Sequence, residues 1–350
     1  VASPAPATAA PQSAAAVHQL FAHWESRDRP GCAASVVRGR QLLFNRGYGA
    51  AIVETGTPIT PATAFQIASV SKQFTAFAIH LLRAEGKLSL DDDVRKYVPE
   101  LHRFGAPITL RHLLHHMSGL RDEQVLMLKG RRAEDIVTQD DVLRVIFDQR
   151  ELSFAPGSRF SYSNSNYTLL ALVVERVSGQ RFGEFLASRV FSSLGMKNSY
   201  VQDDFRKPRA GEAWPYGGGP DGVQRRLNAA SNYGAGNIRS TGEDMGLWGM
   251  NLLVPKVGTE AMIADMLEAV RDEKGPATRY ASGFEIGRHR DMTTVEHGGI
   301  APGSSAYFLV IPARGLGVTI LCNDELNGLN HLARGVADAI LGGAADPETG

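Results

Sequence analysis

Apolar positions over 15–24 recur at a helical period and stop before the break Arg29-Pro30-Gly31. Two short β-rich runs follow, 33–37 and 41–48, and the intervening Arg38-Gly39-Arg40 predicts a hairpin. The segment 56–61 reads as a loop. A helix then begins near Ser69, with Phe74, Phe77, Ala78, Ile79, Leu81 and Leu82 making it apolar nearly all round and hence buried. Helical patterns dominate from 90 to 195, over 110–116, 139–147, 167–178 and 181–190, with stop signals at Val177-Ser178-Gly179 and Leu194-Gly195. A Gly-, Pro- and Asn-rich stretch, 203–236, predicts a long loop of the kind that is usually functional. Helices return over 243–253 and 260–270. Strand-like runs follow over 283–287, 293–296, 305–311 and 317–322, and 327–341 closes as a helix.

Strands at both ends around a helical middle predict an α/β layer with a helical insertion, not a serial βαβ fold. The expected organisation is a leader over 1–16, a sheet domain from 17–68 and 254–345, and a helical domain over 69–253 that includes the 203–236 loop beside the cleft. The leader is almost all Ala, Pro, Ser, Thr and Gln, too polar and small to offset its ordering entropy, so disorder is expected. It reads as what a removed export signal leaves behind, which predicts a periplasmic or secreted protein.

The 350 residues carry 37 Lys+Arg against 37 Asp+Glu, a balance that gives no electrostatic case for nucleic acid or an anionic membrane as partner. No apolar run approaches the roughly 20 residues of a membrane-spanning helix. The two cysteines, Cys32 and Cys322, lie in strand-like runs near opposite ends of the chain. Antiparallel pairing of those strands would bring the thiols together. Two buried free thiols are the expectation, with a disulfide the alternative that export would permit.

Candidate chemistry starts at Ser69-Val70-Ser71-Lys72. Residues three apart on a helix are neighbours, so the Lys72 amine reaches the Ser69 hydroxyl, and a serine beside a proton acceptor is the minimum for covalent acyl transfer. Alone the pattern is weak, because most such serines are helix caps. A second element, Tyr162-Ser163-Asn164, follows the turn Ala155-Pro156-Gly157 and precedes a helix, which places it on a loop. A phenol beside a lysine cation is expected to act as a base near neutral pH. The Asn164 amide suits either a substrate amide or Lys72. The third element is His297-Gly298-Gly299, where two glycines let a substrate backbone approach the strand edge and a partly cationic imidazole would supply a donor.

Taken together and in this order, the three elements resemble the penicillin-recognising serine hydrolases, in the branch of class C β-lactamases, D-Ala-D-Ala carboxypeptidases, D-aminopeptidases and related esterases. The resemblance extends through Leu113-Leu114-His115-His116-Met117-Ser118-Gly119-Leu120 and Gly234-Ala235-Gly236-Asn237-Ile238-Arg239-Ser240-Thr241. It implies an antiparallel five-stranded sheet flanked by N- and C-terminal helices, with the strands of Cys32 and Cys322 side by side. It also implies that Ser69 is the nucleophile, Lys72 and Tyr162 the proton-handling pair, and Asn164 a substrate contact. The N–H groups of Ser69 and Ile300 would form the oxyanion hole. His297 stands where class C β-lactamases carry the lysine of Lys-Thr-Gly, a departure that weighs against efficient β-lactam hydrolysis and resembles the peptidase members. D-amino-acid peptides or β-lactams are the expected substrates. An esterase, or a binding module acylated without turnover, are the alternatives. No cofactor is implied. His112, His115 and His116 share a helix at spacings that could meet zinc, but with no Cys or carboxylate partner arranged nearby no metal site is expected.

Overall fold

The computed structural model describes residues 11–127, 136–202, 209–219, 222–226, 231, 233–270 and 278–342. Six strands form the main sheet: β1 (Cys32–Arg38), β2 (Gln41–Tyr48), β3 (Glu285–His289), β4 (Met292–Ala301), β5 (Ser304–Ile311) and β6 (Leu316–Cys322). Their order is β3-β4-β5-β6-β1-β2, every neighbouring pair antiparallel. The expected α/β layer is therefore present with six strands rather than five, because Glu285–His289 pairs as a strand of its own with the first half of β4.

Strand β1 is buried on both faces, which explains its continuous apolar run. Cys32, Ala34 and Val36 face a core shared with Val318, Ile320, Val336 and Ile340. That core is roofed by helix α1 (Pro11–Leu20) and the C-terminal helix, Leu329–Leu341, which pack on each other. Ala33, from the other face, joins a larger core that runs through Phe74, Phe77, Trp248 and Phe308 into the helical middle. Helix α1 begins at Pro11, so residues 11–16, expected as leader, are helical, while 1–10 lie outside the described residues.

Helix α2 (Lys72–Ala84) is buried along almost its whole length, as its all-round apolar pattern predicts. It packs on helix α3 (Asn164–Ser178), and Gln73 Oε1 accepts a 2.7 Å bond from the indole of Trp248. Trp248 belongs to helix α4 (Gly242–Leu253), which lies on the sheet against β1 and β6. Within the expected 203–236 loop, Tyr216–Gly219 and Gly222–Arg225 pair as a small hairpin; residues 203–208, 220, 221, 227–230 and 232 lie outside the described residues. No helix among the described residues is long and apolar enough to cross a membrane.

The two cysteines form a disulfide, not the expected free thiols, because the β1–β6 register sets Cys32 directly opposite Cys322 with a Cα–Cα distance of 4.1 Å. It closes a loop of 290 residues across neighbouring strands. The double change Cys32→Ala/Cys322→Ala should lower the unfolding free energy by about 3 kcal/mol, read from urea denaturation, with Ser69 chemistry retained. An unchanged midpoint would show that the sheet holds these two central strands together without the bridge.

Candidate active site

The nucleophile candidate sits on a strained turn. Ala68 takes a positive φ of 45°, a conformation that costs a non-glycine residue about 1–3 kcal/mol and clusters at functional sites. Ser69 follows within a tight 3-10 turn, Ala68–Ser71, that runs directly into α2. The turn leaves Ser69 half-buried and drives Lys72, one turn on, into the interior, where its side chain is fully buried.

Lys72 Nζ has three partners: Asn164 Oδ1 at 2.7 Å, the Ala235 carbonyl at 2.9 Å and Ser69 Oγ at 3.1 Å. The first two can only accept. A neutral amine has two N–H groups and one lone pair, so once both carbonyl oxygens are served the lone pair is left for the Ser69 hydroxyl proton. Burial is the dominant influence on this amine. It pulls the pKa down to about 7 against the opposing pull of the nearby Glu123 and Asp122 carboxylates. Above that pH most Lys72 is free base, ready to take the Ser69 proton.

Tyr162, 37% exposed, hydrogen-bonds with Ser69. Lys72 Nζ stands over the face of its ring, 4.9 Å from the centroid. Desolvation pushes the Tyr162 pKa well up, and a hydrogen bond with Ser69 only partly offsets this. This corrects the expectation of a phenolate base held by a lysine cation: Tyr162 stays a phenol, and the group poised near neutrality is Lys72. Three rings surround that of Tyr162, His116 at 4.2 Å, Tyr280 at 6.0 Å and His297 at 6.3 Å between centroids. His116, with a positive φ of 56°, accepts at Nδ1 from the Ser163 N–H (3.2 Å) and stands 3.0 Å from Asn166 Nδ2.

Asn164 opens α3 instead of lying on the preceding loop, because the helix starts three residues before the predicted 167. Its amide is committed at both ends, Oδ1 to Lys72 and Nδ2 to Asp122 Oδ2 at 3.0 Å. Of the two uses open to it in the sequence, the structure shows the amide holding Lys72. The loop carbonyls opposite are held by α2: Thr75 Oγ1 donates to Gly234 at 2.6 Å, next to the Ala235–Lys72 bond. Gly234 has a positive φ of 71°, and a Cβ there would lie 2.4 Å from the Ala171 side chain.

His297 is buried, and both ring nitrogens are occupied. Nδ1 lies 2.6 Å from the Gly298 carbonyl, which can only accept, so this nitrogen carries the proton. Nε2 is then the acceptor for the Tyr280 hydroxyl at 3.0 Å. Burial first, then the Lys72 charge, push its pKa down to about 3. The expected partly cationic donor is thus a neutral imidazole with no free N–H.

Gly299 makes the closest approach of β4 to the nucleophile: a Cβ there would fall 2.5 Å from the Ile67 carbonyl oxygen and 3.0 Å from the Ser69 nitrogen. Strand β3 pairs with β4 only through Glu296, so the edge from His297 to Ala301 is open toward the cleft. Ile300 lies on that edge with its side chain 65% exposed. His112, His115 and His116 turn to different partners. His112 Nδ1 accepts from the Thr109 N–H, and His115 Nδ1 lies 3.4 Å from the Tyr280 carbonyl.

Tyr280, Asp122 and the Ala235 carbonyl were not found from the sequence. Asp122 and Tyr280 belong to no motif, and a backbone carbonyl has no residue-type signal.

The sequence profile of a family described as beta-lactamase matches residues 17–341. A D-aminopeptidase of Gluconobacter oxydans is 28% identical over 320 residues, covering 91% of this chain and 60% of that protein. Protein flp of Staphylococcus aureus is 29% identical over 307 residues, covering 84% of this chain and 59% of the relative. The chain spans about three-fifths of the length of these curated relatives. Among solved structures, the octameric penicillin-binding protein homologue of Pyrococcus abyssi aligns with a TM-score of 0.82 at 26% identity, over 94% of this chain and 76% of that one. The D-amino acid amidase of Ochrobactrum anthropi shares the fold, with a TM-score of 0.82 at 22% identity over 95% of this chain and 99% of its own.

Proposed function

Because this chain belongs to the beta-lactamase family, we propose that it is a serine hydrolase that acylates Ser69 and cleaves amide bonds next to D-amino acids, in substrates lacking a carboxylate at the His297 position. The observation that carries this reading is the neutral, doubly engaged His297. β-Lactams and carboxypeptidase substrates bring a carboxylate beside the scissile bond, and a permanent cation there stabilises it. His297 offers none, which favours an aminopeptidase- or amidase-type substrate. The D-configuration rests on the name of the Gluconobacter relative.

In this reading Lys72 takes the Ser69 proton as Oγ attacks the carbonyl carbon, and the Ser69 and Ile300 N–H groups hold the oxyanion. The Tyr162 hydroxyl donates its proton to the departing amine as the C–N bond breaks. The lysinium and phenolate left behind exchange one proton, which resets both before water attacks the ester. The Cys32–Cys322 disulfide supports work outside the reducing cytoplasm.

A panel of D-alanine amide, L-alanine amide, a chromogenic cephalosporin and a D-Ala-D-Ala peptide tests the substrate class. The D-amide should exceed each of the others in kcat/KM by about tenfold or more, the scale of modest pocket discrimination. A cephalosporin or D-Ala-D-Ala peptide turned over best would overturn the reading.

A further inference from the structure

The arrangement behind Asn164 is built to a purpose that acyl transfer alone does not name. The two ends of an asparagine amide have nearly the same shape, so its hydrogen-bond partners decide which end faces a neighbour. Asp122 Oδ2 accepts from both the backbone N–H of Asn164 (2.6 Å) and its side-chain Nδ2 (3.0 Å). The other oxygen, Oδ1, accepts from the Gln124 N–H at 2.8 Å, which fixes the carboxylate itself. A carboxylate can only accept, so the NH₂ end of Asn164 must face Asp122 and the carbonyl end must face Lys72. Were the amide reversed, its NH₂ would point at the Lys72 amine and its oxygen at Asp122, losing both bonds at once.

We propose that Asp122 is a positioning residue for the acyl-transfer reaction: it locks the Asn164 amide with Oδ1 toward Lys72 and, beside Glu123, places a carboxylate one side chain away from the buried amine. The inference rests on Ser69 acyl transfer and is independent of which substrate is cleaved. The groups that face Lys72 are few. The rings of Tyr162 and Tyr167 lie 4.9 and 5.7 Å from Nζ. His116 and His297 are both held neutral by burial. Glu123 is buried next to Asp122 and accepts from the Ser165 hydroxyl at 2.7 Å. Glu123 titrates in the same range as Lys72, its carboxyl pushed up to about 7 chiefly by burial. Asp122 is the carboxylate that reaches Lys72 through a single intervening side chain.

Two variants separate the orientation from the charge. Asp122→Asn keeps an acceptor for Asn164 but removes the charge. The Lys72 pKa should then fall by about half a unit or more, read directly from the ¹³Cε shift in lysine-labelled protein, with the acid limb of kcat/KM moving down with it. Asp122→Ala frees the amide, and kcat for p-nitrophenyl acetate should drop about 10–100-fold with little change in KM. Above about pH 8, where Lys72 is free base with or without Asp122, the same Asp122→Ala change in an Asn164→Ala background should cost less than about twofold, since no amide remains to orient. Glu123→Gln is the control for the second carboxyl. An unshifted Lys72 titration in Asp122→Asn overturns the inference even where Asp122→Ala does not fold, and so does an equal loss of kcat with and without Asn164. The nuclear resonance titration needs no turnover, so a wild-type protein that never acylates Ser69 would sink the hydrolase reading while the Asp122–Lys72 linkage is still judged on its own result.

Discussion

Ser69→Ala should lower kcat by at least about 10⁴-fold on every substrate the protein turns over, with the unfolding midpoint unchanged. The size follows from what the hydroxyl does. It is the atom that bonds to the substrate, and without it Lys72 and Tyr162 have no nucleophile to serve; units of this kind lose nearly all of their effect when one member is removed. The fold should not notice. Ser69 is half-buried, its hydroxyl bonds among the described residues only to Lys72 and Tyr162, and alanine is accommodated by the same turn. Residual activity within about tenfold of wild type would mean that another group carries the chemistry.

Gly299→Ala should cut kcat about 10²–10³-fold, the second-largest loss expected. The added methyl would stand 2.5 Å from the Ile67 carbonyl oxygen and 3.0 Å from the Ser69 nitrogen, both backbone atoms that cannot swing aside. Strand β4 and the Ser69 turn must part, and they carry the two N–H groups proposed for the oxyanion. Displacements of about 1 Å at such a site cost on the order of 10²-fold, and losing one oxyanion donor costs 10²–10³-fold. Gly298→Ala is the matched control, because a Cβ there meets only the Tyr307 ring at 3.5 Å, an ordinary contact. Equal activity in the two variants would contradict the close approach of β4 to the nucleophile.

These two changes also mark what was legible in the sequence. Ser69 and Lys72 are three residues apart, so their meeting follows from one local turn, and that part of the site was readable. The pairing of Cys32 with Cys322 was foreseen as an option only. Register decides it, and register depends on which strands become neighbours across the whole chain. The charge states of Tyr162 and His297 were misread for a single reason. Residue type gives the ordinary pKa, while the actual one is set by burial, and burial is a property of the packed molecule. The same holds for Asp122 and Tyr280, which act through tertiary neighbours, Asn164 and His297, and leave no spacing in the sequence. Strand β3 was visible as a strand-like run; the count of five came from the family resemblance, and the turn at Arg290 and Asp291 lets Glu285–His289 pair along β4 as a sixth strand.

The central claim is that Ser69 is acylated with buried Lys72 as its base. It is tested most directly by quenched-flow mass spectrometry of the protein mixed with p-nitrophenyl acetate between pH 5 and 9. The predicted result is a single acetyl group on the peptide containing Ser69, formed at a rate that rises with pH through an apparent pKa of about 7, where Lys72 loses its proton. An adduct on another residue, or a rate that climbs only toward the ordinary lysine range near 10, would contradict it.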